Sequence, residues 1–366
     1  MAGVSGSVDK RWLRGPWWDL SLVAFGWLPF YAWVVFGLGV DGTWGASSRA
    51  ALATATAIAL GITYVHRHYT FLLVYGDGEA FARRPRGYVL APLLTFGVVG
   101  GLRALHGATA SSYPDPWILV VATVGAWNVW HTLMQRYGIL RVYAGRAGGG
   151  LESAAQGRRD LALLWASTAL AAVAVVVLRR STFDGHPNAR RALAMALPIV
   201  DGATGWILLA SVASVVAVIA ARWLRHERAA TLRRGERAPR LWFLASTMAL
   251  LGVLVVHGPI VGYLCFGVAH AVEYVAFVHH FGERRFAAAP WQRGLVARWM
   301  RRPLLFGPLI TGALLALFVA LDDYRRTDLY LVYYLGTSLL HFLYDGWIWK
   351  VRSPAVARPL GVGAPG

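Results

Sequence analysis

Long apolar runs separated by short polar segments dominate the chain. Ten of these runs approach or exceed the roughly 20 residues that a helix needs to cross a bilayer. They cover residues 17–40, 50–75, 88–104, 116–143, 161–178, 203–223, 241–257, 259–281, 304–321 and 328–349. The pattern predicts an all-α fold, a polytopic transmembrane helical bundle of about ten spans that forms a single integral membrane domain over residues 1–366.

Composition agrees with a membrane protein, because 57% of the residues are hydrophobic and only 15% are charged. The first apolar run lacks a small-residue cleavage site after it, which favours a retained span over a signal peptide. Cys265 is the only cysteine, so the chain has no disulfide framework.

The net charge of +18 follows the spans rather than forming a basic domain. Arginines are concentrated in every second segment between runs, which predicts that both termini are cytoplasmic and that the partner is the membrane lipid, with no nucleic acid. The basic segment 179–191 departs from this alternation. Arginine is also far more frequent than lysine, a bias typical of high-GC bacterial genomes, and we predict a bacterial inner-membrane location.

Residues 283–302 combine arginines with Trp291, Leu295 and Trp299. This mixture is typical of a short interfacial helix on the cytoplasmic surface, and it equally suits a solvated basic loop.

The apolar segment 262–281 carries unexpected polar residues. In a helix, His270, Glu273 and His280 share one face, because positions three, four and seven apart lie above one another. A charged group at the centre of a bilayer costs roughly 2.5 kcal/mol or more, so these side chains need compensation. A bound metal ion supplies it, since imidazole and carboxylate are common metal ligands.

Histidines recur in the later halves of three further runs, and the alternation of charge predicts that all four of these halves point towards the cytoplasm. His66 and His68 are two residues apart and face nearly opposite sides of a helix, so only one of them is expected to be a ligand. The ligands are therefore predicted to come from His66, His68, His131, His270, Glu273, His280, His341 and Asp345, and their hydrogen-bond partners from Asn128, Gln135 and Tyr274.

A ligand set of imidazoles with few carboxylates suits one or two non-haem iron ions, with zinc or copper as alternatives. No H-E-x-x-H sequence occurs, which argues against a metalloprotease. Iron would allow an oxidation in the membrane, and no residue is assigned a catalytic role from the sequence.

The segments YLCFGVAHAVEY around His270 and HFLYD from His341 to Asp345 resemble the last two histidine segments of bacterial membrane-embedded β-carotene cleavage dioxygenases. The resemblance implies a multi-span helical protein in which His270 and His341 bind iron, and it loosely relates the HRH of His66 to His68 to the family's earlier histidines. The chain also resembles, more loosely, the membrane desaturases and hydroxylases, whose H-x3-H and H-x2-H-H boxes it lacks.

We therefore expect a membrane-embedded non-haem iron oxidoreductase, similar to an oxygenase or desaturase, with a lipid or isoprenoid substrate and an electron donor as a further partner. Two other classes stay open. A transporter or channel would use the same residues as a proton or cation relay, and a structural membrane protein would use them only to join helices, without metal.

Overall fold

The computed structural model describes residues 11–40, 49–108, 116–148, 152–179, 199–234, 237–292 and 294–363. These residues form helices and short turns, and no strand occurs among them, which confirms the predicted all-α class. The helices are α1 (Pro16–Ala24), α2 (Leu28–Gly37), α3 (Arg49–Gly76), α4 (Gly78–Ala82), α5 (Pro85–Ala108), α6 (Pro116–Gly148), α7 (Ala154–Leu178), α8 (Gly202–Arg234), α9 (Ala238–Ala287), α10 (Leu295–Arg301), α11 (Pro303–Ala320), α12 (Asp328–Ile348) and α13 (Pro354–Ala357).

Five of the described helices are long and apolar enough to cross a membrane, namely α5, α7, α8, α9 and α11. The pair α1 and α2, which is bent by 51°, makes a sixth if it is one span. The protein thus has the helices of a multi-pass membrane protein, but the described residues do not reproduce the predicted count of ten. The helix α9 covers two predicted runs, and α3, α6 and α12 carry the polar residues that lower their hydropathy.

A break inside α9 separates the two predicted runs. Gly258 has φ 83° and ψ 174°, a conformation that favours glycine because it has no Cβ. Pro259 follows and has no N–H to bond the carbonyl one turn earlier. The Arg179 guanidinium at the end of α7 donates to the carbonyl of Val255 at 3.1 Å and to that of Val256. Of the basic segment 179–191, only Arg179 lies within the described residues.

The chain folds into two compact units. The first comprises Met1–Leu60, Gln135–Glu273 and Gly361–Gly366, and the second comprises Gly61–Met134 and Tyr274–Leu360. Three of their four boundaries fall inside helices, and the single membrane domain stays a prediction.

The first unit contains a buried arginine–carboxylate network at the ends of its helices. Arg240 contacts Asp160 of α7 at 2.5 Å and Glu227 of α8 at 3.1 Å, and the indole of Trp223 donates to Asp160 at 2.8 Å. Because a buried charge is costly without a partner, these pairs hold α7, α8 and α9 together. The network consists of Arg141, Glu152, Asp160, Glu227, Arg237 and Arg240.

The second unit is packed around aromatic side chains. The ring of Tyr69 on α3 lies 5.1 Å from that of Trp299 on α10, and both are buried with Tyr274 and Val278 of α9. A second group joins α3, α5 and α12 through Tyr88 and Tyr344, whose ring centroids are 5.2 Å apart. This packing fixes α3 and α12, two of the helices that carry the candidate site.

Candidate metal site

Three helices of the second unit bring four ionisable side chains to one place. His66 lies on α3, His131 on α6, and His341 and Asp345 on α12. The two residues of α12 are four positions apart and therefore share a face. All four are buried, with exposed fractions of 5%, 6%, 1% and 6% in that order.

The ligand atoms of these residues converge. The Nε2 atoms of His66 and His341 are 3.2 Å apart, with their rings nearly perpendicular at 85°. His131 Nε2 lies 3.7 Å from Asp345 Oδ2. His131, His341 and Asp345 each offer one ligand atom, and these three atoms lie within 4.8 Å of one another.

Two hydroxyl groups orient this cluster. Tyr274 OH and Thr70 Oγ1 both lie 2.9 Å from Asp345 Oδ1 and 2.6 Å from each other, so the two hydroxyls and the carboxylate form one hydrogen-bonded group. Thr70 Oγ1 also forms a hydrogen bond with His341 Nδ1 at 2.8 Å. With Nδ1 bonded to Thr70, the Nε2 atom of His341 is the ring nitrogen that faces His66.

This arrangement fits a metal ion. Imidazole nitrogens bind zinc at about 2.0–2.1 Å, and bonds of that length place neighbouring ligand atoms about 2.8–3.4 Å apart at bond angles near 90–109°. The 3.2 Å separation between His66 and His341 falls in that range. The hydrogen bond from His341 Nδ1 to Thr70 is the outer contact that metal-bound histidines usually make.

Not every predicted ligand of the second unit belongs to this cluster. His68 bonds the carbonyl of Tyr64 and the hydroxyl of Tyr333, each at 2.7 Å, on the other side of α3 from His66. His280 is buried on α9 with an exposed fraction of 1%, and Asn128 is half-buried on α6. Their predicted roles stay predictions.

The remaining predicted residues, Gln135, His270 and Glu273, lie in the first unit. The Gln135 amide donates to Glu273 Oε1 at 2.8 Å and to the His270 carbonyl at 3.1 Å. The Arg136 guanidinium lies 3.1 Å from Glu273 Oε2, and both side chains are fully buried. Glu273 thus has hydrogen-bonding or ionic partners on both oxygens. The ligand roles predicted for His270 and Glu273 stay predictions.

Sequence reasoning missed Thr70 and Arg136. Thr70 lies one turn after His66, so helical spacing alone could have placed it beside that ligand. Arg136 adjoins Gln135 in an apolar run, and a buried arginine there requires an acidic partner. The pairing itself depends on tertiary packing.

A scan of protein-family models and searches of curated proteins and of solved structures found no match to this chain.

Proposed function

We propose that the protein is a membrane-embedded non-haem iron oxidoreductase acting on a lipid or isoprenoid substrate. The observation that supports this most is the buried triad His131, His341 and Asp345, whose ligand atoms lie within 4.8 Å of one another, with His66 Nε2 3.2 Å from His341 Nε2. Three imidazoles with one carboxylate suit iron, and zinc or copper less well.

In this proposal the four side chains bind the ion and the two hydroxyl groups hold them in place. Thr70 and Tyr274 occupy Oδ1 of Asp345 and leave Oδ2, which faces His131, for the metal. When bound, iron would supply the capacity to activate dioxygen for oxidation of a C–H or C=C bond. Burial of the ligands keeps bulk water from competing with an apolar substrate.

The proposal includes the number of membrane spans and the side on which the termini lie. We infer that the ten apolar segments all cross a bacterial inner membrane with both termini in the cytoplasm, so that a substrate dissolved in the bilayer reaches the site laterally. An electron donor would be required if the reaction is a hydroxylation or a desaturation.

The test is product formation by the full chain reconstituted in liposomes with iron(II) and ascorbate under ¹⁸O₂. Bacterial lipid and isoprenoid extracts would be supplied as substrates and analysed by mass spectrometry. We expect products that carry ¹⁸O or have lost two hydrogens, and we expect none from His341→Ala or Asp345→Asn.

The matched control is His226→Ala, which removes an exposed histidine of α8 in the first unit. This variant should retain the products of the parent. Equal product formation by His341→Ala would contradict the proposed site, and no product from iron-loaded parent with any extract would contradict the oxidoreductase. A parent that instead moves protons or cations across the liposome membrane would support the relay alternative.

A further inference from the structure

The segment around α10 contains arginines of two kinds. Arg301 points inward, where its guanidinium donates to the carbonyls of Phe286 at 3.1 Å, Ala289 at 2.9 Å and Gln292 at 2.6 Å. A guanidinium offers five donors in a fixed plane, so this one side chain can bond three carbonyls at the end of α9 and in the segment that follows it. Arg301 therefore fixes the path of the chain between α9 and α10.

Apolar contacts hold α10 against the rest of the second unit. Val296, Trp299 and Met300 are buried. A Cβ added at Gly282 would lie 2.5 Å from the Met300 sulfur, and one added at Gly76 would lie 2.1 Å from a Val296 methyl group, so both glycines permit close packing of α10. This packing fixes the orientation of α10, so the same side of the helix always faces away from the second unit.

That outer face combines cations with apolar side chains. Arg298 and Arg302 are exposed and have no acceptor among the described residues. Trp291 and Leu295 beside them are each 69% exposed. Water alone would not favour exposing a tryptophan and a leucine together, whereas the boundary between headgroups and acyl chains accommodates both with arginine.

The outer face of α10 directly precedes a candidate span, which also favours a location at the membrane boundary. The helix α11, which begins at Pro303, is one of the helices able to cross a membrane. Its first turn exposes Leu304 by 93% and Leu305 by 62%. An exposed apolar surface thus begins directly after Arg302, and the two arginines adjoin the start of a candidate span.

We propose that this outer face binds the phosphate of an anionic phospholipid through Arg298 and Arg302, with Trp291 and Leu295 in the acyl–headgroup boundary. The planar fork of arginine suits a phosphate, and anionic lipid is the source of phosphate that adjoins a span. This interaction goes beyond the proposed oxidation and does not involve the metal.

The test measures lipid selectivity of the purified full chain in nanodiscs. Phosphatidylcholine discs would contain increasing mole fractions of dibrominated phosphatidylglycerol, which quenches nearby tryptophan fluorescence, and Trp291→Phe identifies the contribution of that residue. We expect each of Arg298→Gln and Arg302→Gln to raise the half-quenching mole fraction about fivefold.

The matched controls are the single variants Arg225→Gln and Arg228→Gln on α8, each of which removes one positive charge from an exposed position of the first unit. Each should leave the quenching of Trp291 unchanged, and all variants should match the parent in size-exclusion profile. Equal quenching by brominated phosphatidylcholine and phosphatidylglycerol, or no effect of the α10 substitutions, would overturn the proposal. Preferential binding of polyglutamate by the same arginines, without lipid selectivity, would also overturn it and indicate an acidic protein partner.

Discussion

Replacing Thr70 by valine tests whether its hydroxyl orients the metal ligands. Valine has nearly the same shape, so the change removes the hydrogen bonds to His341 Nδ1 at 2.8 Å and to Asp345 Oδ1 at 2.9 Å with little change in volume. Loss of an outer partner of a metal ligand typically lowers metal affinity about 10- to 100-fold. We therefore expect the dissociation constant for iron(II) to rise by that factor, which corresponds to about 1.4–2.7 kcal/mol.

The structure sets the size of this effect. One substitution leaves two different ligands each short of a hydrogen-bond partner in a buried place, and each loss costs about 1–3 kcal/mol. Part of this cost also falls on the protein without metal, which should unfold at a lower temperature. The rest of the cost lowers the affinity for iron(II), because the orientation of the ligands matters most when the ion is bound.

The assay is competition for iron(II) between the detergent-purified protein and a chromophoric chelator. Thr70→Ser keeps the hydroxyl and should bind iron nearly as tightly as the parent. Thr311→Val is the matched control, because the Thr311 hydroxyl bonds Tyr69 at 2.9 Å in the same unit and contacts no candidate ligand. If folded Thr70→Val binds iron with the affinity of the parent, the proposed orientation of His341 and Asp345 is wrong.

Three substitutions in the first unit test its packing by thermal unfolding in detergent. Arg136→Gln leaves the buried carboxylate of Glu273, 3.1 Å away, without its cation and should lower the free energy of unfolding by about 3–5 kcal/mol. Adding Glu273→Gln should restore part of that loss. Equal stability of the parent and the single variant would refute the pairing. Arg240→Gln removes a cation from the buried arginine–carboxylate network and should cost a similar amount, with Arg240→Lys less damaging. Gly262→Ala places a Cβ about 2.6 Å from the Leu254 backbone and should cost about 1–3 kcal/mol, so an unchanged unfolding temperature would refute the close approach.

Helix positions follow closely from the sequence, because a run of apolar residues long enough to span a bilayer can bury its backbone only as a helix. The predicted run 304–321 corresponds to Pro303–Ala320, and the run 328–349 corresponds to Asp328–Ile348. The 51° bend between α1 and α2 was not predicted, although Gly26 lies at the break and Pro29 stands at the start of α2, where proline favours a new helix over a continuous one.

The candidate site could be predicted only in part. Helical spacing placed His341 beside Asp345 and separated His66 from His68, because both statements concern one helix. Which helices bring their polar faces together depends on packing, and no spacing in the sequence connects Thr70 with Asp345 across 275 residues. The same limit applies to Arg136, whose partner Glu273 lies on another helix.

The metal content of the purified protein tests the central claim most directly. The full chain, expressed in iron-replete medium and purified in mild detergent, would be analysed for transition metals beside His341→Ala and His226→Ala. We predict one or two irons per chain in the parent and in His226→Ala, and loss of the metal in His341→Ala without loss of folding. A parent free of transition metal, or a His341→Ala variant with full metal content, would contradict the metal site.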